Sequence, residues 1–234
     1  MKKFLSIIIG ICFVFNSNAQ DLQLYEAFLG KYDFTMFGNT MNTTANGTGA
    51  PCTISTSSSA NLTLTANQTL QKAYLYWAGS GGASNFDFNI RFNNIPIAPT
   101  RTFTTDIASR SVTSAFADVT NIIAANGNGN YTVSDFDLSA VIWDYCGNAT
   151  NFGGWAVVVV YQDPSLTNNL VNVYDGFVRV DQSNNEAEIT LENLNVLNQQ
   201  GNRVGFLAWE GDENIAVSER LEINNILVSN PPLN

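Results

Sequence analysis

The chain has 234 residues and carries 20 acidic against 10 basic side chains, which gives a net charge of −10 at neutral pH. This acidity opposes binding to nucleic acid, because the phosphates would be repelled over the whole surface. The sequence contains no histidine, which excludes a Ser-His-Asp triad, a Cys-His dyad and zinc sites built on imidazole.

The first 19 residues have the pattern of a secretory signal peptide. Two lysines precede a mainly apolar run over residues 4–15, and residues 17–19 are Ser-Asn-Ala, which suits signal peptidase. We therefore predict cleavage before Gln20 and export of the chain. The apolar run is shorter than the about 20 residues of a transmembrane helix. No later run is longer, so we expect no membrane-spanning segment.

Only Cys52 and Cys146 remain once the signal peptide is removed. Two cysteines in an exported chain favour one disulfide, which would stabilise the fold by about 3–5 kcal/mol in the chain-entropy model. A pair of buried free thiols is the alternative. A catalytic cysteine is not expected, because there is no histidine to activate it.

The mature chain begins with an aromatic segment and a polar one. Residues 25–37 are rich in Tyr and Phe and predict an irregular segment or short strand that docks on the body. Residues 39–59 are rich in Asn, Thr, Gly and Ser, and we interpret them as a long polar loop that the disulfide holds in place.

Short apolar runs follow. The clearest is Phe86, Phe88, Ile90 and Phe92, whose period of two is typical of a half-buried strand. Asp118 is a candidate N-cap for one helical turn over residues 118–123. The other predicted strands are residues 61–65, 73–77, 131–133, 140–143, 155–161, 171–180, 187–191, 203–209 and 221–228.

About ten short strands without a long helical period indicate an all-β fold. We predict an antiparallel β-sandwich or jelly roll. Residues 20–234 are enough for one such domain. We interpret residues 229–234 as an exit tail.

Pairs of carboxylates are the remaining route to catalysis, since sandwich glycosidases use two of them. Glu186 and Glu188 alternate on one face of a predicted strand, about 7 Å apart by strand rise. The alternative is that both face solvent while Ala187 and Ile189 face the core. We favour the alternative and predict no catalytic residues.

Calcium is the cofactor that the sequence allows. Glu210, Asp212 and Glu213 could supply three hard oxygen ligands from one turn, and Asp135 with Asp137 could supply two. No spacing matches an EF-hand loop, and an acidic turn is the simpler interpretation. We predict no other cofactor.

Large aromatic side chains are frequent for one domain. Sugar binding uses ring faces for stacking and Asn or Asp for hydroxyls, and the chain is rich in both. The alternative is that the rings fill the core, which we expect of Trp77 and Trp155. The side chains concerned are Tyr74, Tyr76, Trp77, Trp143, Tyr145, Trp155 and Trp209.

Several stretches occur in an order that resembles a known family. They are Ala-Tyr-Leu-Tyr-Trp-Ala-Gly-Ser-Gly at 73–81, Phe-Ala-Asp-Val-Thr at 116–120, Gly-Asn-Tyr-Thr-Val at 129–133, Cys-Gly at 146–147, Gly-Gly-Trp-Ala-Val-Val-Val-Val-Tyr-Gln-Asp-Pro at 153–164, Tyr-Asp-Gly-Phe at 174–177 and Leu-Ala-Trp-Glu-Gly-Asp at 207–212. Together they resemble the N-terminal module of large Bacteroidetes (flavobacterial) cell-surface proteins associated with gliding motility and adhesion. The resemblance covers nearly all of the mature chain.

The resemblance implies delivery to the surface by type IX secretion and a role in adhesion or motility, and it implies no catalytic residue set. Those proteins usually continue into repeats and a C-terminal sorting domain, whereas this sequence stops at Asn234. A fragment, a free-standing paralogue and a subunit that reaches the surface with another protein are three explanations. Without a sorting route, the chain would be periplasmic.

We therefore expect an exported, non-catalytic binding module at the cell surface or outside the cell, whose partner is a glycan or a protein. The alternative is a structural or assembly subunit that pairs an exposed sheet edge with another chain. A carboxylate-pair glycoside hydrolase is less favoured.

Overall fold

The computed structural model describes residues 22–45, 51–107, 109–192, 194, 201–210 and 220–228. The predicted signal peptide at residues 1–19 and the predicted exit tail at residues 229–234 lie outside them. None of the helices in the described part is long and apolar enough to cross a membrane.

Within these residues the chain forms thirteen strands, one α-helix and two short 3₁₀ helices. The strands are β1 (Gln23–Gly30), β2 (Tyr32–Thr40), β3 (Ser58–Leu62), β4 (Thr69–Ser80), β5 (Ile90–Phe92), β6 (Ile95–Ile97), β7 (Arg101–Ile107), β8 (Arg110–Asp118), β9 (Gly129–Ser134), β10 (Gly153–Gln162), β11 (Asn169–Asp175), β12 (Glu222–Ile223) and β13 (Ile226–Leu227). The helix α1 spans Thr120–Asn126, and the 3₁₀ helices span Ile142–Asp144 and Cys146–Asn148. All the strand pairs are antiparallel.

Two sheets face each other and form an antiparallel sandwich, which confirms the predicted all-β class. One sheet has five strands in the order β2-β10-β4-β8-β7, and the other has four in the order β3-β9-β5-β6. Trp77 of β4 and Trp155 of β10 are opposite each other in the five-stranded sheet and almost fully buried in the core. These two rings therefore fill the core, as predicted.

The outer face of the five-stranded sheet is also covered. Strands β1 and β11 pair into a two-stranded ribbon, and Phe28, Val171 and Val173 of this ribbon pack with Tyr74 and Phe116 of the sheet. Both faces of the central strands are therefore buried. This explains the continuous valine run of β10, because a strand that meets no water on either face needs no polar alternation.

The N-terminal region is more regular than predicted. Residues 25–37 lie in β1 and β2, which belong to different sheets. The predicted loop at 39–59 is shorter, because β2 continues to Thr40 and β3 begins at Ser58. The strands predicted at 73–77, 131–133 and 155–161 lie within β4, β9 and β10, whereas those predicted at 61–65 and 171–180 overlap β3 and β11 only at residues 61–62 and 171–175.

The run from Phe86 to Phe92 is mostly not a strand. Only β5 at its end joins a ladder. Phe86 and Phe92 are buried as expected, but the carboxylate of Asp87 accepts a hydrogen bond from the N–H of Asn89 at 2.9 Å. This local bond turns the backbone away from an extended ladder.

Three other predicted strands are wrong. Residues 140–143 form a turn that leads into a 3₁₀ helix. In this turn, the N–H of Ile142 donates to the carbonyl of Leu138 at 2.9 Å. Residues 187–191 and 203–209 contain no assigned strand. Short apolar runs are compatible with strand, turn or irregular backbone, and tertiary packing selects among them.

Two predictions are corrected in detail. Residues 221–228 contain the hairpin of β12 and β13 in place of one strand, and the turn residues Asn224 and Asn225 have φ values of 51° and 62°. Asparagine tolerates this left-handed conformation. The predicted helical turn exists, but Asp118 precedes it, and its carboxylate accepts the N–H of Thr120 at the first position of α1.

Candidate functional site

A groove of about 740 Å³ lies on the outer face of the five-stranded sheet, at the end of β2 and the beginning of β10. Gly38 of β2 together with Gly154 and Ala156 of β10 form its floor. One wall is the segment 42–45, and the other is the segment 207–210. The groove thus joins residues that are more than a hundred positions apart in the sequence.

The two glycines of the groove floor differ in how much room the structure leaves for a side chain. Gly38 is paired with Ala156, and a Cβ atom on Gly38 would lie only 2.2 Å from the carbonyl oxygen of Trp155. At Gly154 a Cβ atom would lie 3.5 Å from Cζ3 of Trp209, which is ordinary contact. Gly38 is therefore required by the packing, whereas Gly154 leaves room for the indole of Trp209 to lie against the sheet.

Hydrogen bonds fix the first wall to the sheet. The N–H of Met41 donates to the carbonyl of Gly153 at 2.7 Å. The side-chain amide of Asn42 donates to the carbonyl of Asn151 at 2.9 Å, and its Oδ1 accepts the N–H of Gly153 at 3.1 Å. Because the polar groups of Asn42 are used in this way, this amide positions the wall. Thr43 and Thr44 are exposed at the rim.

The predicted disulfide lies behind this wall. Cys52 and Cys146 are bonded, their Cα atoms are 5.5 Å apart, and 94 positions separate them in the sequence. Asn42 forms an isolated bridge with Ile54. Cys52 lies two residues before Ile54, so the segment that pairs with the wall also carries the disulfide. The disulfide therefore ties the back of the groove to the 3₁₀ turns.

The second wall is an extended segment that lies on the sheet without joining it. The guanidinium of Arg203 lies 2.6 Å from the carboxylate of Asp33 and 5.1 Å from the ring centre of Phe34. At the other end of the segment, Trp209 packs against the buried residues Ala78 and Phe152. Trp209 is only partly buried and forms the aromatic side of the groove.

Charge is nearly absent from the groove. Among the described residues that line it, Glu210 is the one with an ionisable side chain, and none is a lysine or arginine. The polar lining consists of asparagine and threonine. The described lining therefore offers hydrogen-bonding groups and an indole to a ligand, and it contains no cationic side chain.

The calcium candidates are only partly described. Asp212 and Glu213 lie outside the described residues, and Glu210 ends the second wall. Within the described ranges, no group of three or more acidic or cysteine side chains is arranged to hold a metal ion. Calcium binding by the 210–213 turn stays a prediction.

The other acidic pair of the calcium prediction is engaged in local contacts. Asp135 pairs with Arg91 at 2.9 Å. Asp137 accepts the N–H of Ser139 at 2.8 Å, and hydrogen bonds from Ser139 hold the pKa of the Asp137 carboxyl below its usual range. Both carboxylates therefore stabilise the turn that follows β9.

The glutamates considered for catalysis do not have the predicted geometry. Glu186 and Glu188 lie in an irregular segment, and both are exposed. No strand face places them side by side, so the expected separation of a strand pair does not apply.

A second set of ionisable groups lies beneath the ribbon and was missed by the sequence analysis. The hydroxyl of Tyr74 donates to the carboxylate of Glu26. The guanidinium of Arg101 lies 2.6 Å from the carboxylate of Asp175, whose side chain is 1% exposed. Burial raises the pKa of Asp175 although Arg101 opposes the shift. Each contact joins the ribbon to the sheet, which indicates a structural role.

Comparisons with protein-family models, with curated proteins and with solved structures find no match for this chain. Function is therefore inferred from the groove and from the sequence.

Proposed function

We propose that this chain is an exported, non-catalytic cell-surface module that binds a polysaccharide chain in the groove and serves adhesion. The observation that carries the proposal is the groove, with its backbone floor, its indole on one wall and its polar side chains on the other. Export and surface delivery rest on the signal-peptide pattern and on the family resemblance.

The lining suits a sugar. Protein sites for sugars combine an aromatic face with hydrogen-bonding groups, and here Trp209 supplies the ring while Thr43 and Thr44 lie on the opposite rim. The groove volume of about 740 Å³ is within the range of about 300–1,000 Å³ that ligand sites occupy. Both walls are already fixed, so little conformational entropy would be lost on binding.

The test is glycan-array binding by residues 20–234, with calcium and again with EDTA. Gly154→Val should abolish binding, because its side chain would push against the indole of Trp209, whose Cζ3 already lies 3.5 Å from the position of a Cβ atom. Trp209→Ala should weaken binding by about tenfold through loss of stacking. Binding that disappears in EDTA would direct mutagenesis to Glu210, Asp212 and Glu213.

Two variants serve as matched controls. Gly147→Val places the same side chain where a Cβ atom meets nothing within 4 Å. Trp143→Ala removes an indole that is 71% exposed and does not line the groove. Both should bind as the wild type does. Equal binding by Gly154→Val and the wild type would contradict the proposal, and elution of the chain as oligomers would then favour the assembly subunit.

A further inference from the structure

We infer that the groove binds neutral polysaccharide chains and rejects acidic ones. This inference rests on the proposed function and specifies its ligand. It follows from the charges of the residues that line the groove and from the contacts of Arg203, which lies on the same segment as the second wall.

An acidic sugar needs a cationic partner when its carboxylate or sulfate leaves water. No lysine or arginine is among the described residues that line the groove, and Glu210 places a carboxylate at the end of one wall. The whole chain adds a net charge of −10. An anionic ligand would therefore lose hydration without gaining a charge partner, and the surrounding field would slow its approach.

Arg203 is the cation on the same extended segment as the second wall, and its guanidinium is paired within the protein although the side chain is 56% exposed. Its Nη1 lies 2.6 Å from the carboxylate of Asp33, and its guanidinium lies over the ring of Phe34. Moving it to the groove would break both contacts and leave Asp33, whose side chain is 18% exposed, without this partner.

The neutral parts of the groove favour a sugar ring with hydroxyl groups. The indole of Trp209 lies against Gly154, and the exposed backbone of Gly38 on the neighbouring strand lets a flat ring approach the sheet. Thr43 and Thr44 at the rim can both donate and accept, as sugar hydroxyls can. Affinity is thus expected to depend on stacking and neutral hydrogen bonds, and it should change little with salt.

The experiment compares matched pairs of hexasaccharides by calorimetry at low and at physiological salt. Neutral oligomers of glucose, mannose and galactose are each paired with the corresponding uronic acid oligomer. We expect at least one neutral oligomer to bind about tenfold more tightly than its acidic partner. Gly154→Val should remove this binding, and Trp209→Ala should weaken it by about tenfold.

Thr44→Lys adds the missing cation at the rim, and Thr44→Gln is its neutral control. Thr44→Lys should strengthen binding of the uronic acid oligomer by severalfold at low salt and less at physiological salt, whereas Thr44→Gln should not.

Acidic oligomers that bind the wild-type groove as tightly as their neutral partners would overturn the inference and leave the proposed function intact. Absence of any binding that depends on Trp209 and Gly154 would overturn both.

Discussion

At the scale of single residues, the glycines of the groove floor have different roles although they lie on neighbouring strands. Gly38 permits the close approach of β2 to β10, because the carbonyl of Trp155 occupies the place where its side chain would be. A Cβ atom on Gly154 would instead be in ordinary contact with the carbonyl oxygen of Asn39 at 3.4 Å and with the indole of Trp209 at 3.5 Å. One glycine is therefore needed for folding, and the other is needed for the position of the indole of Trp209.

Substitution by alanine should separate these roles. Gly38→Ala should lower the free energy of unfolding by about 1–3 kcal/mol, because the Cβ atom would overlap backbone atoms that cannot move freely. Gly154→Ala should change it by less than about 0.5 kcal/mol, since its nearest contacts are at 3.4 Å and beyond. Urea unfolding followed by tryptophan fluorescence measures both. Equal losses in the two variants would contradict the assignment.

Tyr74 provides a second test at this scale. Burial, and then its hydrogen bond to Glu26, raise the pKa of Tyr74 above its ordinary value of 10.0. Burial does the same for the pKa of Tyr76. In the unfolded chain these phenols ionise near the ordinary value. Their protonated state therefore stabilises the fold fully below about pH 10, and this stability is lost as the pH rises further.

We expect the free energy of unfolding to decrease above about pH 10. Tyr74→Phe should cost about 1–3 kcal/mol at neutral pH, because the carboxylate of Glu26 loses a donor in a partly buried place. Between neutral and alkaline pH, the free energy of unfolding of this variant should fall less than that of the wild type, because one buried phenol fewer is ionised on unfolding. Urea unfolding between neutral pH and about pH 11 tests this. Parallel profiles for the variant and the wild type would count against it.

At the scale of elements, the strands with strong patterns were predictable and the weakly patterned segments were not. The apolar runs of β4 and β10 are long and rich in β-branched or aromatic residues, and they form the centre of the five-stranded sheet. The alternation of apolar residues at 86–92 predicts a strand, but alternate phenylalanines can be buried without a hydrogen-bonded ladder. Residues 140–143 were misassigned because an apolar run of four is too short to define a period.

The disulfide is the element-scale feature that the sequence did predict. Replacing Cys52 and Cys146 by serine should lower the free energy of unfolding by about 4–5 kcal/mol, since the bond closes a loop of 94 positions. The same variant should bind its ligand more weakly, because the wall at residues 42–45 loses its support. Urea unfolding and the binding assay measure the two effects. Wild-type stability in the variant would show that the bond does not restrain the unfolded chain.

At the scale of the whole molecule, the chain has three layers: the four-stranded sheet, the five-stranded sheet and the ribbon of β1 and β11. The middle layer is buried on both faces by the two others. The candidate site lies on the outer face, where the ribbon does not cover the sheet. This layering follows from the sequence only in part, since no local pattern indicates that β1 leaves the sheet of β2.

Hydrogen exchange should reflect the layers. Amides of β4 and β10 should exchange most slowly and by global unfolding, because these strands have a partner on each side and a covered face above and below. Amides of the β12–β13 hairpin, whose Ile226 is 70% exposed, should exchange much faster. Mass spectrometry of exchanged peptides can measure both. Similar rates in the hairpin and in β10 would contradict the layered description.

The candidate site could be predicted from the sequence only as a list of residue types. Trp209 and Gly154 both stand out in the motifs, but one belongs to an extended segment and the other to a central strand. Their contact depends on the path of the segment 203–209 across the sheet, which Arg203 and Phe34 guide. Contacts between such distant positions leave no trace in the spacing of a single sequence.

The bond between Cys52 and Cys146 also has a mechanical consequence. If the chain is stretched from points outside residues 52–146, the 94 positions between the two cysteines cannot lengthen while the bond is intact. A fully extended chain of this length would span roughly 330 Å, and the disulfide prevents that extension. An adhesion module under flow would then stay short under load, with the wall at residues 42–45 immediately outside the shielded part.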